Sequence, residues 1–316
     1  MKTRTLKNIL FAAIVLIGIK TFGQQDPSYT QYMYNMSVVN PAYATGEIGT
    51  MNVGGFYRSQ WVGIDGAPTT GTFFAHAALS ERIEMGLNLV HDEIGDVVKE
   101  TNLNADFAYN IPVSDAGKLS LGMKAGLSFF NADFTQLQFN SGNMSTDPAF
   151  SQMINETFPV IGIGAFYYTD KYYVGLSTPN ILANDHLESK DGVKTLGAEA
   201  THIFLTAGYV FDINNDVKFK PSFMARGVKG APFELDVNAN VLFLEKFEAG
   251  VGYRFGDAVT GLFNFEVSPG LKLGYAYDYT TSNLSNYSSG SHEIMVLFDF
   301  SLFGFTAEYS KSPRFF

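Results

Sequence analysis

The sequence LKLGYAYDY, residues 271–279, alternates strictly between two kinds of side chain. Leucine and tyrosine occupy the odd positions, whereas lysine, glycine, alanine and aspartate occupy the even ones. Successive side chains of a β-strand point to opposite faces. The stretch therefore predicts a strand with one apolar face and one small or charged face, as found in membrane β-barrels and in soluble β-sandwiches.

The same alternation recurs in residues 233–243 and 247–255, and the whole chain predicts about fourteen strands. An even strand number is typical of single-chain bacterial barrels. The predicted strands are 50–58, 69–79, 82–93, 97–112, 117–130, 158–169, 171–179, 198–213, 216–228, 232–244, 246–255, 258–267, 270–279 and 291–300.

The lengths of the connectors separate a barrel from a sandwich. Every second connector is a tight turn, and the connectors between them include every long one: 59–68, 131–157, 180–197 and 280–290. Outer-membrane barrels carry short turns at the periplasmic end and long loops at the extracellular end. We therefore predict an all-β fold, a transmembrane antiparallel barrel of about fourteen strands over residues 49–300.

The first 23 residues are typical of a signal peptide. Basic residues between Lys2 and Lys7 precede an apolar run, Ile9 to Ile19, which is too short to cross a bilayer as a helix. We predict cleavage after Gly23 and export to the cell outer membrane. An uncleaved anchor is the alternative.

Two further segments lie outside the predicted strands. Residues 24–48 are polar and aromatic without strict alternation, so we predict an N-terminal segment in the periplasm or in the barrel lumen. Residues 301–316 are predicted to be a C-terminal periplasmic tail. A terminal phenylalanine is common in barrels that the outer-membrane assembly machinery recognises, so Phe316, or Phe300 at the end of the last strand, is the predicted assembly signal.

Charge and cysteine content limit the possible partners. The formal net charge is -10, and removal of residues 1–23 would take away four basic residues and no acidic one, giving -14. Nucleic acid is therefore not an expected partner. The chain has no cysteine, which suits an exported barrel that is closed by its own hydrogen bonds.

No residue pattern predicts catalysis or a metal site. The serines lack the G-x-S-x-G context of a nucleophile, and the five histidines lack the H-x-x-x-H spacing of a metal site. Glu234 and Asp236 could form an acid and base pair, but basic residues on neighbouring strands favour a polar lumen crossed by salt bridges. We predict no enzymatic activity, no cofactor and no metal.

Three stretches are more specific than these patterns. The first is Gln31-Tyr32-Met33 with Asn40-Pro41-Ala42-Tyr43-Ala44, the second is Tyr57-Arg58-Ser59-Gln60-Trp61-Val62-Gly63, and the third is Gly290-Ser291-His292-Glu293-Ile294-Met295 with Ser312-Pro313-Arg314-Phe315-Phe316. Their order and spacing resemble the PorP/SprF family. Two further stretches, GLSTPN at 175–180 and GYAYD at 274–278, resemble the family less strongly. Thr45 departs from the family pattern, which usually has glycine there.

The resemblance implies an outer-membrane component of the type IX secretion system of Bacteroidetes. Some members couple to the periplasmic ring lipoproteins, and others serve secretion and surface attachment of a large adhesin with a type B C-terminal domain, as in gliding motility. The implied partners are the ring lipoproteins, the translocon, a secreted adhesin and membrane lipid. Predicted partner-binding residues are Gln31, Tyr32, Asn40, Pro41, Tyr43, Arg58, Gln60 and Trp61. A porin-like solute channel is the alternative function.

Overall fold

A computed structural model describes residues 28–43, 48–95, 97–133, 153–182, 201–228 and 231–301. The strands are β1 (Thr50–Ser59), β2 (Thr69–Ala78), β3 (Ile83–Ile94), β4 (Val98–Pro112), β5 (Lys118–Asp133), β6 (Met153–Tyr168), β7 (Tyr172–Thr178), β8 (His202–Tyr209, continued by Phe211–Asp212), β9 (Val217–Val228), β10 (Glu234–Phe243), β11 (Phe247–Arg254), β12 (Ala258–Ser268), β13 (Leu271–Thr280) and β14 (Ser291–Ser301). Within these ranges the helical elements are 3-10 turns at Tyr32–Tyr34 and Asn283–Asn286 and one short helix, α1 (Met36–Val39).

The strands form one antiparallel sheet that closes into a barrel. Each strand pairs with the next along the chain, and β1 pairs with β14 from Thr50 opposite Ser301 to Ser59 opposite His292. Both segments of β8 pair with β9, so they count as one strand. The prediction of a barrel with about fourteen antiparallel strands is confirmed.

The clearest departure from the predicted boundaries is at β5 and β6. The strand β5 continues to Asp133 and β6 begins at Met153, and these two residues pair. The polar ends of both strands lack alternation, so the sequence pattern gave no sign of them. The ladder continues nevertheless, and the amide of Asn131 donates a hydrogen bond to Asn155.

Side chains alternate between lipid and lumen in the predicted register. On β11 to β13, Val251, Phe263 and Tyr279 face outward and are exposed. Glu248 and Asp278 face inward and are buried. The lumen is less polar than expected, however, because Phe56, Phe74, Phe166, Tyr173, Met295 and other apolar side chains also face inward and pack together.

The two ends of the barrel differ in their connectors. The strands are joined at one end, the turn end, by connectors of two to five residues. The other end, the loop end, carries the connectors 60–68 and 281–290. Within the described ranges, no helix is both long enough and apolar enough to cross a membrane.

Several predicted features lie outside the described residues: the signal peptide, the tail after Ser301, and Phe316. Phe300 lies in β14, where it pairs with Met51 of β1. Its role as an assembly signal stays a prediction.

Candidate functional site, a segment held inside the barrel

Residues 28–43, which we call the plug, lie inside the barrel. The side chains of Gln31, Tyr32 and Asn35 are completely buried, with 0% exposure. The plug and the inward-facing side chains of the wall form one hydrophobic cluster, centred on Tyr32, Met33, Tyr34, Met36 and Tyr43 of the plug. Of the two positions that the sequence left open for this segment, periplasm and lumen, the described part occupies the lumen.

The plug runs from the loop end of the barrel to the turn end. Ser28 accepts a hydrogen bond from the amide of Gln60, just beyond the loop end of β1, at 3.3 Å. At the opposite end, Ile48 forms a bridge with Ala78, the last residue of β2. The segment therefore spans the lumen, and it is not confined to one mouth.

The local sequence explains how the plug turns. Proline disfavours helical geometry in the residue before it, and Asn40, before Pro41, has φ -135° and ψ 111°. Helix α1 accordingly ends at Val39. The Asn40 carboxamide oxygen then accepts a hydrogen bond from the backbone N–H of Ala42 at 2.9 Å, which closes an Asx turn.

Three charged wall residues hold the start of the plug. The Glu293 carboxylate accepts hydrogen bonds from the backbone N–H groups of Thr30, at 2.9 Å, and Gln31, at 2.8 Å. Asp278 accepts a hydrogen bond from the Thr30 hydroxyl at 2.6 Å. Arg58 bridges the two carboxylates, 2.8 Å from Asp278 and 3.4 Å from Glu293, and also contacts the Thr30 hydroxyl. All three charged side chains are at most 3% exposed. Each buried charge is therefore stabilised by its oppositely charged neighbours, and removing one of them would leave the others without compensation.

Replacing Arg58 with methionine should destabilise the barrel, because it leaves two buried carboxylates without their cation. Loss of one member of a buried ion pair costs roughly 3–5 kcal/mol. We expect a lowered free energy of unfolding in urea and a lower temperature for the heat-modifiable gel shift. The control is Arg82→Met in the exposed turn between β2 and β3, which should change stability by less than about 0.5 kcal/mol. Equal stability of the two variants would contradict this account of the anchor.

Hydrogen bonds to two tyrosines and to a backbone carbonyl extend this anchor. The Tyr34 phenol donates to Glu248, and the Tyr32 phenol lies 3.4 Å from Ser222. Arg254, paired with Asp236 at 2.8 Å, also donates to the carbonyl of Tyr29 at 3.3 Å.

Lys124 of β5 holds the end of helix α1 from the opposite wall. Its ammonium group donates to the carbonyls of Val38, at 2.9 Å, and Ser37, at 3.3 Å. A cation at a helix C-terminus satisfies carbonyls that have no partner inside the helix. Asp106 lies 3.7 Å from the same ammonium group and is equally buried.

The Asn40-Pro41-Ala42 turn packs against a row of small residues that crosses three strands. Gly122 of β5 pairs with Gly164 of β6, which pairs with Ser177 of β7. A Cβ atom on Gly122 would lie 2.3 Å from the backbone nitrogen of Ala42, and one on Gly164 would lie 2.1 Å from the carboxamide oxygen of Asn40. A side chain at position 122 would therefore collide with the backbone of the plug, and one at position 164 would displace the side chain of Asn40. Ser177 donates to the Val39 carbonyl at 2.8 Å.

The last described aromatic residue of the plug, Tyr43, packs near the turn end. Its ring meets Phe166 edge-on, with the centroids 5.5 Å apart, and lies 5.9 Å from the ring of His76. The imidazole of His76 is 2.8 Å from the carboxylate of Glu84, and both are buried. These contacts fix the last described residue of the plug against the wall.

The structure brings most of the predicted site residues together. Gln31, Tyr32, Asn40, Pro41 and Tyr43 lie in the plug and are buried, so a partner cannot contact them while the plug stays in the lumen. Arg58 and Gln60 contact the plug from the wall. Trp61 does not join them. It lies half-buried in the loop after β1 at φ 43°, and its backbone N–H donates to the Ser291 hydroxyl.

The sequence did not identify the wall residues that receive the plug. Lys124, Gly122 and Gly164 carried no motif. Glu293, Asp278 and Ser177 did fall within the quoted motifs, and their contacts show that motifs far apart in the chain meet around the plug. Among the described residues, no group of three histidine, aspartate or glutamate side chains could hold a metal ion.

A family model decides the assignment. The model for the type IX secretion system membrane protein PorP/SprF matches residues 21–298. The chain belongs to this family. The match includes residues 28–43 and the wall residues that bind them. No curated protein matches the chain in sequence.

Solved structures with a similar fold are outer-membrane barrels. The CymD monoaromatic hydrocarbon channel is 13% identical, with a TM-score of 0.50, over 90% of this chain and 96% of that one. The toluene transporter TbuX of Ralstonia pickettii is 10% identical, with a TM-score of 0.49, over 84% and 93%. Omp33 of Acinetobacter baumannii is 11% identical, with a TM-score of 0.45, over 82% and 100%. At these identities the likeness concerns the fold alone. Fold and family together place this PorP/SprF protein in the outer membrane. From the general architecture of such barrels we predict that the turn end faces the periplasm.

Proposed function

We propose that the protein is a plugged barrel that binds a secreted partner, with no role as a solute channel. The partner we favour is a large adhesin with a type B C-terminal domain, which the barrel helps to secrete and attach to the cell surface. Coupling to the periplasmic secretion ring is the second possibility within the family. The observation that carries the proposal is the buried plug, which occupies the space that a solute would need and is anchored to opposite walls.

A solute channel is the weaker candidate. A barrel of this strand number can enclose a channel, and the structural neighbours include proteins named as channels and transporters. A channel would require the plug to leave, and that would expose the buried carboxylates and the row of small residues to which it binds.

The test is affinity purification of the tagged full-length barrel from native membranes, combined with conductance measurements on the same preparation. We expect co-purification of a secreted adhesin or of secretion components, together with electrically silent bilayers. Well-resolved conductance steps from the intact protein, with no co-purifying secretion protein, would support the channel and overturn the proposal.

Trp61→Ala should impair export or attachment of the partner while the barrel still assembles. Trp61 lies at the loop end, where its backbone and that of Val62 hydrogen-bond to the connector before β14. The neighbouring Val62→Ala serves as the matched control. We expect less partner at the surface for Trp61→Ala, measured by surface proteolysis at equal barrel abundance. Normal partner levels would mean that Trp61 does not bind the partner and serves only as an aromatic residue of the membrane interface.

A further inference from the structure

The charged anchor of the plug lies on the seam of the barrel, the ladder between β1 and β14 at which the sheet closes. Arg58 of β1 stands directly opposite Glu293 of β14 in this ladder, 235 residues away along the chain. Every other ladder of the described sheet joins strands that follow each other in sequence. The seam therefore joins the most distant strands, and the entropy of loop closure opposes its formation most strongly.

Thr30 of the plug contacts both sides of the seam. Its hydroxyl accepts a hydrogen bond from Arg58 of β1 and donates one to Asp278 of β13 at 2.6 Å. Its backbone N–H and that of Gln31 donate to Glu293 of β14 at 2.9 and 2.8 Å. Two adjacent residues of the plug therefore bond the first strand and the last two strands of the barrel at the same time.

Apolar packing continues this contact along the seam. Phe56 of β1 and Met295 and Leu297 of β14 belong to the hydrophobic cluster that the plug shares with the wall. A Cβ atom on Gly274 of β13 would lie 2.6 Å from the methyl carbon of Met295 and 3.0 Å from the side-chain oxygen of Gln31, so these residues meet closely. The inner face of the seam therefore packs against the plug in its apolar part as well as in its charged part.

The plug links the two ends of the sheet, because it binds C-terminal strands and directly precedes β1. Arg254 of β11 donates to the carbonyl of Tyr29 at 3.3 Å, and Tyr34 donates to Glu248 of the same strand. Only residues 44–49 separate the plug from β1 in the sequence. A plug that is bound to β11, β13 and β14 therefore holds β1 near its partner strand, which raises the effective concentration of the two sheet edges for each other.

Entry of the plug after closure is the less favourable order of events. The plug spans the lumen from Ser28 at the loop end to Tyr43 near the turn end, where β1 begins. Late entry would have to thread the whole segment, with its 3-10 turn and α1, lengthwise through a closed barrel. Binding before closure needs no threading, because the sheet can wrap around the segment.

We propose that the plug is an internal template for barrel closure, which binds the last strands first and brings β1 to β14. This folding role is additional to filling the lumen, and it does not depend on any secreted partner. The contacts of Thr30 with the seam then form in the transition state for folding. The contact of the plug with β7, far from the seam, contributes to stability after closure.

The test compares folding and unfolding rates of the full-length chain, measured by the heat-modifiable gel shift after urea-denatured protein is diluted into detergent. Thr30→Val removes the hydroxyl that bonds both sides of the seam, so folding should slow about tenfold while unfolding changes less. Thr30→Ser keeps the hydroxyl and should fold at the parent rate. The control, Ser177→Ala, removes a hydrogen bond between the plug and β7. It should accelerate unfolding, while folding changes less than about twofold.

A second measurement gives the order of events without relying on Thr30→Val. Ser37→Cys places a thiol at a buried position of the plug, in a chain that has no other cysteine. Samples taken during refolding receive a short pulse of a polyethylene glycol maleimide, which labels only accessible thiols. We expect the thiol to be protected no later than the shifted band appears.

A parent folding rate for Thr30→Val, or equal slowing by Thr30→Val and Ser177→Ala, would overturn the proposal. So would a thiol at position 37 that is still labelled in molecules of the shifted band, because the plug would then enter a barrel that is already closed. Failure of Thr30→Val to fold, beside normal folding of Thr30→Ser, would support the proposal, since the hydroxyl would then be required for closure.

Discussion

Deletion of residues 28–43 should convert an electrically silent barrel into a conducting pore. Eight strands enclose an interior that side chains can fill, and the lumen widens with strand number. A barrel of fourteen strands therefore needs additional polypeptide to close it, and the plug supplies that polypeptide. Without the plug, Arg58, Asp278 and Glu293 would line a water-filled channel. Planar bilayers should show discrete conductance steps for the deletion and none for the full chain.

A second variant separates loss of the plug from loss of the barrel. Replacing residues 28–43 with a glycine and serine linker of equal length keeps the connection and removes the contacts. It should conduct like the deletion, and both should still show heat-modifiable migration. A folded deletion variant that stays silent would mean that another part of the chain closes the lumen.

The second large effect is expected at the glycine row. Gly122→Val places a branched side chain where the backbone of Ala42 lies, since a Cβ alone would approach it to 2.3 Å. Either the Asn40-Pro41-Ala42 turn moves away from the wall or the wall distorts. Overpacking of this kind costs roughly 1–3 kcal/mol. We expect a lower unfolding temperature and intermittent conductance as the plug loosens.

Gly261→Val is the matched control for this prediction. Gly261 lies in β12, and a Cβ there would meet no heavy atom within 4 Å. Valine also favours strand conformation, so this variant should be as stable as the parent or slightly more so. Equal behaviour of the two valine variants would show that the Asn40-Pro41-Ala42 turn does not rest on Gly122.

The barrel could be predicted from the sequence because lipid imposes a regular pattern on it. The lipid-facing positions of β11 and β13 must be apolar, and turns such as Pro269-Gly270 are short and chemically distinct. The alternation therefore fixed the strands and their register. It failed at the extension of β5 and β6, where outward positions such as Asn131 and Asn155 are polar and the alternation is lost.

The interior was harder to predict, because its pattern depends on the plug. Inward positions of an open barrel would be polar, but Phe74, Phe166 and Met295 face inward because they pack against the plug. Gly122 and Gly164 also reflect the plug, which approaches the wall closely at both positions. Glycine occurs in strands for many other reasons, so these two residues did not point to the plug in the sequence. The motifs Gln31-Tyr32-Met33 and Asn40-Pro41-Ala42-Tyr43 marked the important segment. That these motifs are buried, and hence that they fill the lumen, could be recognised only from the structure.

A disulfide between the plug and the wall tests the central claim most directly. A Cβ on Gly164 would lie 2.1 Å from the side-chain oxygen of Asn40, so the two side chains meet closely. A disulfide needs Cβ atoms about 3.5–4.5 Å apart, and the chain has no cysteine of its own. The variant carries Asn40→Cys and Gly164→Cys, and the control carries Asn40→Cys with Gly261→Cys.

After mild oxidation of intact cells, mass spectrometry of the digested barrel should find the linked peptides that contain positions 40 and 164. The control should yield none, and the linked variant should stay silent in bilayers. Absence of the 40–164 link in a folded barrel, with both cysteines free to react with maleimide, would show that the segment does not lie in the lumen.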